Sequence, residues 1–141
     1  MNYYEYSTHI NASAETIWAI LTNRQKIVSH DLGVTKIEGD IQPGKKINLW
    51  AEVSGDRKFT IKVIKMNAPN EMVWQSGMPF GLFTGTRVFS LMENDVGTEF
   101  KMREDYTGLL SNMIFKSIPN LEPSFEKYVL GVKRLAEGAS E

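Results

Sequence analysis

The feature that most constrains this chain is a long series of strand-like segments between residues 32 and 107. Turn signals rich in Gly, Pro, Asn and Asp separate the segments at 42–44, 54–56, 67–70 and 93–97. Strands that follow one another through turns this short are typical of an antiparallel meander. The sequence therefore predicts that the middle of the chain is one antiparallel sheet.

Two of these segments alternate apolar and polar residues, which gives each strand one dry and one wet face. The apolar positions are Ile47, Leu49, Ala51 and Val53 in the first segment and Phe59, Ile61 and Val63 in the second. Trp50 breaks the alternation and is expected on the wet face. The lysines around these strands are interpreted as a solvated sheet surface and not as a nucleic-acid patch. They are Lys45, Lys46, Lys58, Lys62 and Lys65.

Helical patterns flank the meander on both sides. An alternating strand over 3–10 is followed by a helix, for which Asn11 and Ser13 are both plausible N-caps. In the C-terminal third, Pro119 and Pro123 divide the pattern into a short helix near 109–118 and a longer one over 122–137. The longer helix has an apolar face that is expected to lie on the dry side of the sheet. That face consists of Phe125, Tyr128, Val129, Val132, Leu135 and Ala136.

The length, charge and composition of the chain argue against several classes of function. The 141 residues fit a single domain over 1–141, and a net charge of −1 gives no field that would attract a nucleic acid. The N-terminal residues lack the features of a signal peptide, and no apolar run is long enough for a membrane span. We therefore expect a cytoplasmic protein with no nucleic-acid partner and no stable membrane insertion.

The sequence gives little support for a metal site or for a catalytic nucleophile. The chain has no cysteine, and its two histidines, His9 and His30, lack the spacing of a metal motif, so both are interpreted as surface residues. No Gly-x-Ser-x-Gly elbow is present, and no Ser-His-Asp triad can be assembled from the pattern. We expect no metal and no cofactor.

The run GMPFGLFTG, residues 77–85, is an unusually apolar loop. Its glycines do not indicate a phosphate loop, because a strand-like run and not a helix follows them. Three interpretations stay open: the loop folds onto the protein's own core, it forms a lid over an apolar pocket, or it is a self-association patch that supports a homodimer.

The hairpin over 86–107 carries the most informative polar residues. Pairing across a 93–97 turn predicts Phe89 opposite Phe100 and Arg87 opposite Met102, with Glu104 one step diagonal to Arg87. These residues share a dry face, so two charged groups point inward and must pair with each other, with water or with a ligand. A structural ion pair and a misjudged register are the alternatives. Tyr106 continues the row.

Three stretches carry a resemblance to a known family. They are INASAETIWAIL (10–21), GLFTGTRVFSL (81–91) with GTEF (97–100), and REDYTGLL (103–110) followed by FEKYVLGVKRLAE (125–137). In order and spacing the chain resembles the SRPBCC superfamily, also called START-like or helix-grip, and in particular its polyketide cyclase/dehydrase-like branch. The resemblance covers nearly the whole chain.

The resemblance implies an α+β helix-grip fold: a curved antiparallel sheet of six or seven strands around a long C-terminal helix, two short helices after the first strand, and an internal cavity. Relatives often carry His-x-Glu on the last strand, where this chain has Met102 and Glu104, and Asn in the last helix, where it has Val129. The first change removes the one obvious imidazole base from the cavity and weakens the case for a cyclase, and the second makes the cavity more apolar. The expected lining is Trp74, Phe80, Phe83, Arg87, Phe89, Phe100, Met102, Glu104, Tyr106, Phe125, Val129 and Val132.

Three functions follow as hypotheses. The first is non-catalytic binding of a small hydrophobic molecule, such as a lipid, polyketide or quinone, between sheet and helix. The second is a polyketide cyclase or dehydratase in which Glu104 or Tyr106 handles a proton and Arg87 steadies an enolate. The third is a protein-interaction module like the chaperone-ATPase activators of the superfamily, for which an exposed Trp50 would mark the interface.

Overall fold

The computed structural model describes residues 2–139 and contains one seven-stranded antiparallel sheet with four helices. The strands are β1 (Asn2–Ile10), β2 (Val34–Glu38), β3 (Lys46–Ala51), β4 (Phe59–Asn67), β5 (Glu71–Met78), β6 (Phe83–Asn94) and β7 (Gly97–Thr107). The helices are α1 (Ala14–Leu21), α2 (Arg24–Ser29), α3 (Ser111–Ser117) and α4 (Glu122–Ala139). The strand order is β1-β7-β6-β5-β4-β3-β2, so only β1 lies out of chain order.

The two short helices follow β1 because the chain carries a cap at each start. Ser13 is the N-cap of α1, where its Oγ accepts a hydrogen bond from the Thr16 N–H at 3.2 Å. Of the two predicted caps, Ser13 and not Asn11 therefore begins the helix. Asn23 caps α2 in the same way through the Lys26 N–H. These caps turn the chain from the edge of the sheet into the connection to β2.

Helix α4 lies across the concave face of the sheet. Its buried side chains are Phe125, Tyr128, Val129, Val132 and Ala136, which confirms the predicted apolar face apart from the half-buried Leu135. At Gly131 an added Cβ would lie 2.8 Å from the Leu32 side chain, so the absence of a side chain there allows close packing. The long helix held inside a curved sheet confirms the helix-grip fold.

The register of the β6–β7 hairpin differs from the predicted one by two residues. Arg87 lies directly opposite Glu104, and Phe89 lies opposite Met102. The cause is a tight turn in which the Asn94 side chain accepts the Val96 N–H at 2.9 Å, so that pairing continues to Asn94 and Gly97. A shift of two keeps every side chain on its predicted face, because side-chain direction alternates with period two.

On the outer face of the sheet, the exposed residues of β3 and β4 are those that the alternating sequence predicts, up to Trp50. The five lysines interpreted as a solvated surface are all exposed. Strand β3 ends at Ala51, however, and Val53 lies in a short 3₁₀ turn where it is exposed and not on the dry face. Trp50 is half-buried, with the Lys36 Nζ 4.9 Å from its ring centroid. None of the helices in residues 2–139 has the length and apolar character that crossing a bilayer requires.

Candidate functional site

Neighbouring strands place four polar or aromatic side chains in one row across the concave face. The register aligns Trp74 of β5 with Arg87 of β6, Arg87 with Glu104 of β7, and Glu104 with Tyr4 of β1. Phe125 of α4 covers the row, with the Arg87 guanidinium carbon 4.8 Å from its ring centroid. The row brings the charged pair predicted from sequence to the inner side of the sheet.

Arg87 and Glu104 form an ion pair with an Nε–Oε1 distance of 3.0 Å. Burial would lower the pKa of Arg87, but the Glu104 carboxylate and the nearby Tyr106 and Tyr128 outweigh it and raise the pKa above its ordinary value. Although both side chains point inward, 21% of the Arg87 side chain and 15% of the Glu104 side chain stay accessible. Solvent-sized molecules therefore reach this pair from the concave side.

Two buried polar atoms close to the ion pair, Trp74 Nε1 and Tyr128 Oη, have no hydrogen-bond partner in the described part of the chain. A third buried group, the Tyr106 hydroxyl, interacts with the Glu104 carboxylate; burial and this carboxylate raise the pKa of Tyr106, and burial raises the pKa of Tyr128. Both phenols therefore stay protonated at neutral pH, and Trp74 and Tyr128 are available donors. An unsatisfied buried donor costs roughly 1–3 kcal/mol, so two of them beside an inward-facing ion pair are an unusual feature of a folded chain.

Aromatic rings form one wall of this region. The Tyr106 ring stacks on Phe83 at a centroid distance of 5.9 Å and contacts Phe115 of α3 at 5.5 Å. Tyr4 touches Tyr106, Phe115 and Phe125. Tyr4, Phe83 and Phe115 are only half-buried, so the wall opens toward solvent beside α3. Helix α3 itself buries no residue completely.

The remaining predicted lining residues do not surround a cavity. Phe89, Phe100, Val129 and Val132 are 0% exposed and Met102 is 1% exposed. A void that held even one water molecule would leave accessible surface on its walls, so these side chains are packed core. Tyr128 and Phe125 occupy the space between helix and sheet, which is why the centre of the fold is filled and the accessible part lies at the Arg87 end.

Phe80, which was expected to line the cavity, lies on the surface and is 93% exposed. It occupies the turn between β5 and β6, where its φ of +62° and the φ of +69° at Gly81 direct its side chain away from the sheet. Sequence reasoning in turn missed Tyr4 and Phe115 as wall residues. The alternation of aromatic and polar residues in β1 predicts that Tyr4 faces the interior. Only the pairing of β1 with β7 shows that Tyr4 lies beside Glu104.

Two open clefts lie on the surface of the described residues, away from the ion pair. One, of about 490 Å³, lies between α2 and β2, and its two cations already pair with acids: Arg24 with Asp40 and Lys36 with Glu38. The other, of about 280 Å³, lies at the start of α4 beside Lys127, which pairs with Asp31 and Glu52.

Both histidines lie where the sequence placed them, at or near the surface. His9 bonds to Glu99 and to the Val96 carbonyl oxygen, and His30 is exposed on the surface. Within residues 2–139 no three His, Cys, Asp or Glu side chains come together as a metal centre would require.

The curved sheet around α4, with a charged pair on its inner face, defines a helix-grip protein of the SRPBCC superfamily. The model of the family described as "Activator of Hsp90 ATPase homolog 1-like protein" matches residues 11–122, and the chain belongs to this family. The match runs from the first strand–helix junction to the start of α4. A search of curated proteins finds no significant match.

Solved structures similar to this chain share its fold at low sequence identity. A Rhodobacter sphaeroides protein is 18% identical with a TM-score of 0.75, over 99% of this chain and 94% of its own. A Mesorhizobium loti protein is 14% identical with a TM-score of 0.73, over 94% of this chain and 95% of its own. The di-domain ARO/CYC StfQ from the steffimycin biosynthetic pathway is 10% identical with a TM-score of 0.71, over 98% of this chain and 52% of its own.

Proposed function

We propose that this protein binds a small hydrophobic molecule, such as a lipid, polyketide or quinone, at the Arg87 end of the concave face and performs no chemistry on it. The observation that carries the proposal is the pair of buried donors without partners, Trp74 Nε1 and Tyr128 Oη, beside an inward-facing ion pair. A fold that only needed stability would gain from apolar residues at these positions.

The donors define what the ligand must present. Trp74 and Tyr128 offer N–H or O–H groups, and the Arg87 guanidinium adds further N–H donors beyond the one that Glu104 accepts. A matching ligand therefore has an apolar body for the aromatic wall and one or more carbonyl, enolate or carboxylate oxygens for the donors. Pure hydrocarbons would leave the donors unsatisfied and are expected to bind poorly.

Entry requires a small rearrangement, since the centre of the fold is filled. The element best suited to move is α3, because none of its residues is fully buried and Phe115 is its main contact with the aromatic wall. Outward displacement of α3 would expose Tyr106 and the ion pair without disturbing the packed contacts of α4. Binding is therefore expected to be slower than diffusion and to order α3.

The test is a ligand panel of fatty acids, quinones and flavonoids, each beside a hydrocarbon of similar size, measured by thermal shift and native mass spectrometry. Oxygen-bearing members are expected to raise the Tm and to remain bound. Tyr128→Phe should leave the Tm of the free protein unchanged or higher, because its hydroxyl has no partner to lose. The same variant should weaken ligand binding about tenfold, as expected when one buried hydrogen bond is lost.

Lys62→Met is the matched control, because Lys62 is exposed on the opposite face of the sheet. It should alter neither the Tm nor the ligand-induced shift beyond a small surface effect. Binding that is unaffected by both Tyr128→Phe and Arg87→Met, or a protein that binds no member of the panel, would refute the proposal.

A catalytic alternative is favoured by one specific observation. Tyr106 keeps its proton beside Glu104, and Arg87 lies in the same row. The Glu104 carboxylate could accept the α-proton of a bound polyketide while Arg87 steadies the enolate, and the phenol could donate its proton to the alkoxide formed when the enolate attacks a second carbonyl. Turnover of a polyketide-like substrate that is lost in Glu104→Gln would support this function. The variant would reject the assignment if it kept full activity.

The protein-interaction hypothesis stays a prediction for this chain. The family description names an ATPase activator, but the tryptophan expected to mark a partner surface, Trp50, is half-buried beneath Lys36. A change in oligomeric state or partner binding in Trp50→Ala would support the hypothesis.

A further inference from the structure

The most exposed apolar side chains at one end of the molecule come from two neighbouring segments. Phe80 is 93% exposed and Met78 is 45% exposed in the β5–β6 connection, and Leu109 and Met113 are 84% and 61% exposed at the start of α3. Two backbone hydrogen bonds join the segments: Leu109 N–H to Gly81 O at 3.1 Å and Leu110 N–H to Leu82 O at 2.8 Å. We call these four side chains the apolar tip.

Phe80 occupies its position at a cost to the backbone. The Leu82 N–H bonds to Pro79 O, and both central residues of the turn, Phe80 and Gly81, have positive φ, which makes this a type I′ turn. Such turns favour Asn, Asp or Gly at the position that Phe80 fills. A strained phenylalanine that projects into water makes no buried contact that would offset the strain, which points to a function other than stability.

The tip is free of charge as well as apolar. No Asp, Glu, Lys or Arg occurs in 72–86 or in 106–115, although charged residues make up 23% of the chain. Protein interfaces surround an apolar core with a polar rim in which arginine is common. A surface with no charged side chain on either segment fits hydrocarbon better, because nothing on it must be desolvated.

Part of the backbone of the tip is hydrogen-bonded within the protein. The carbonyl oxygens of Pro79, Gly81 and Leu82 all accept hydrogen bonds, and Pro79 has no N–H group. Backbone groups in the centre of a bilayer must all be satisfied internally, so this turn suits the margin of the hydrocarbon, where the Phe80 backbone still reaches the headgroups.

We propose that the apolar tip docks this protein on a lipid bilayer by inserting Phe80 and Leu109 into the margin of the hydrocarbon. The contact depends on apolar burial and not on charge, so neutral phosphatidylcholine is a sufficient partner. The tip includes Met113 of α3, the helix expected to move when a ligand enters, but vesicle binding does not require a bound ligand.

The test is flotation of the full chain with vesicles of pure phosphatidylcholine, and with vesicles that also contain phosphatidylserine, at low and high salt. Comparable binding to both kinds of vesicle at both salt concentrations is expected. Phe80→Asn should reduce the partition coefficient roughly tenfold to a hundredfold, the loss expected for one buried phenylalanine. Because Asn suits a type I′ turn, the same variant should keep or raise the Tm, which separates lost binding from lost folding.

Val96→Asn is the matched control, since Val96 is 72% exposed in the turn at the other end of β6. It should bind vesicles like the unaltered protein, and Leu109→Asn should repeat the loss seen in Phe80→Asn. The proposal is overturned if the unaltered protein does not float with phosphatidylcholine, if binding needs phosphatidylserine and disappears at high salt, or if both turn variants lose binding equally. Self-association that Phe80→Asn abolishes, without vesicle binding, would instead assign the tip to contact between copies.

Discussion

Strand β6 ends in two turns of opposite character. At one end, residues 94–97 form a polar turn in which the Asn94 side chain accepts the Val96 N–H and His9 binds the Val96 carbonyl oxygen. At the other end, residues 79–82 form an apolar turn with Phe80 in the solvent. The strand has 12 residues, so the two turns lie roughly 35–40 Å apart.

At the polar end, hydrogen bonds connect the sheet to helices α1 and α4. Glu93 accepts the first N–H of α1 from Ala14 at 2.6 Å, and Lys133 of α4 donates to the His9 carbonyl oxygen, also at 2.6 Å. The apolar end holds the unpartnered donors, the half-buried aromatic wall and the exposed tip. The difference teaches that one end of the concave face supplies stability and the other accepts an unfavourable local structure, which is typical of a functional site.

The largest expected effect is a difference in stability between two glycine substitutions, one at the polar end and one at the apolar end. At Gly97, where φ is +137°, an added Cβ would collide with the Ile10 carbonyl oxygen, so Gly97→Ala should lower the free energy of unfolding by roughly 2–4 kcal/mol. At Gly81, where φ is +69°, an added Cβ meets nothing within 4 Å. Gly81→Ala should therefore cost only about 1–2 kcal/mol, from the left-handed backbone conformation alone. Urea denaturation of the two variants measures the difference.

Equal losses in Gly97→Ala and Gly81→Ala would show that the polar end is no more tightly packed than the apolar end. A Gly97→Ala protein that unfolds at the same urea concentration as the original would contradict the close contact with β1.

A smaller effect is expected from a pair of threonines on β7. Thr98 is 0% exposed, and its hydroxyl donates to the Ala12 carbonyl oxygen at 2.8 Å. Thr98→Val keeps the shape but leaves that oxygen without its donor, so it should cost about 1–2 kcal/mol. Thr107 is exposed at the other end of the strand, and Thr107→Val should change stability by less than about 0.5 kcal/mol. Thermal unfolding of both variants provides the comparison, and a Thr98→Val protein as stable as Thr107→Val would contradict it.

The smallest expected effect is a pH dependence confined to the polar end. The hydrogen bond to Glu99, together with the Val96 carbonyl oxygen, raises the pKa of His9 above its ordinary value of 6.5. The folded state therefore favours the protonated ring, so the stabilisation is fully present below pH 6.5 and is lost as pH rises through the higher folded-state pKa. The Tm measured between about pH 5.5 and 8.5 should fall slightly more in the original protein than in His9→Gln. Identical pH profiles for the two proteins would show that His9 does not contribute to the pH dependence of stability.

Much of the fold could be predicted from the sequence, because local signals agree with it. Alternation in β3 and β4, the Ser13 cap and the apolar face of α4 each act over a few residues and lie where the pattern placed them. The inward direction of Arg87 and Glu104 also followed from alternation alone. Their direct pairing did not, because it depends on the length of the 94–97 turn, which the Asn94 side chain decides.

Less of the candidate site than of the fold could be predicted from the sequence. Whether α4 leaves a cavity depends on how Phe125 and Tyr128 pack against the sheet, and no local pattern fixes that distance. Phe80 was expected inside because apolar residues usually are, but the positive φ of its turn directs it outward. Tyr4 became a wall residue through pairing with a strand at the far end of the chain.

The pairing of β1 with β7 has a consequence for synthesis. Asn2 aligns with Tyr106 and Ile10 with Thr98, so the first of the seven strands in chain order pairs with the last. At about 5–20 residues per second, roughly 5–20 s separate the synthesis of β1 from that of its partner. Contacts between such distant residues also slow folding. Among the seven strands, β1 is therefore the one whose apolar face a chaperone has the longest time to bind during translation.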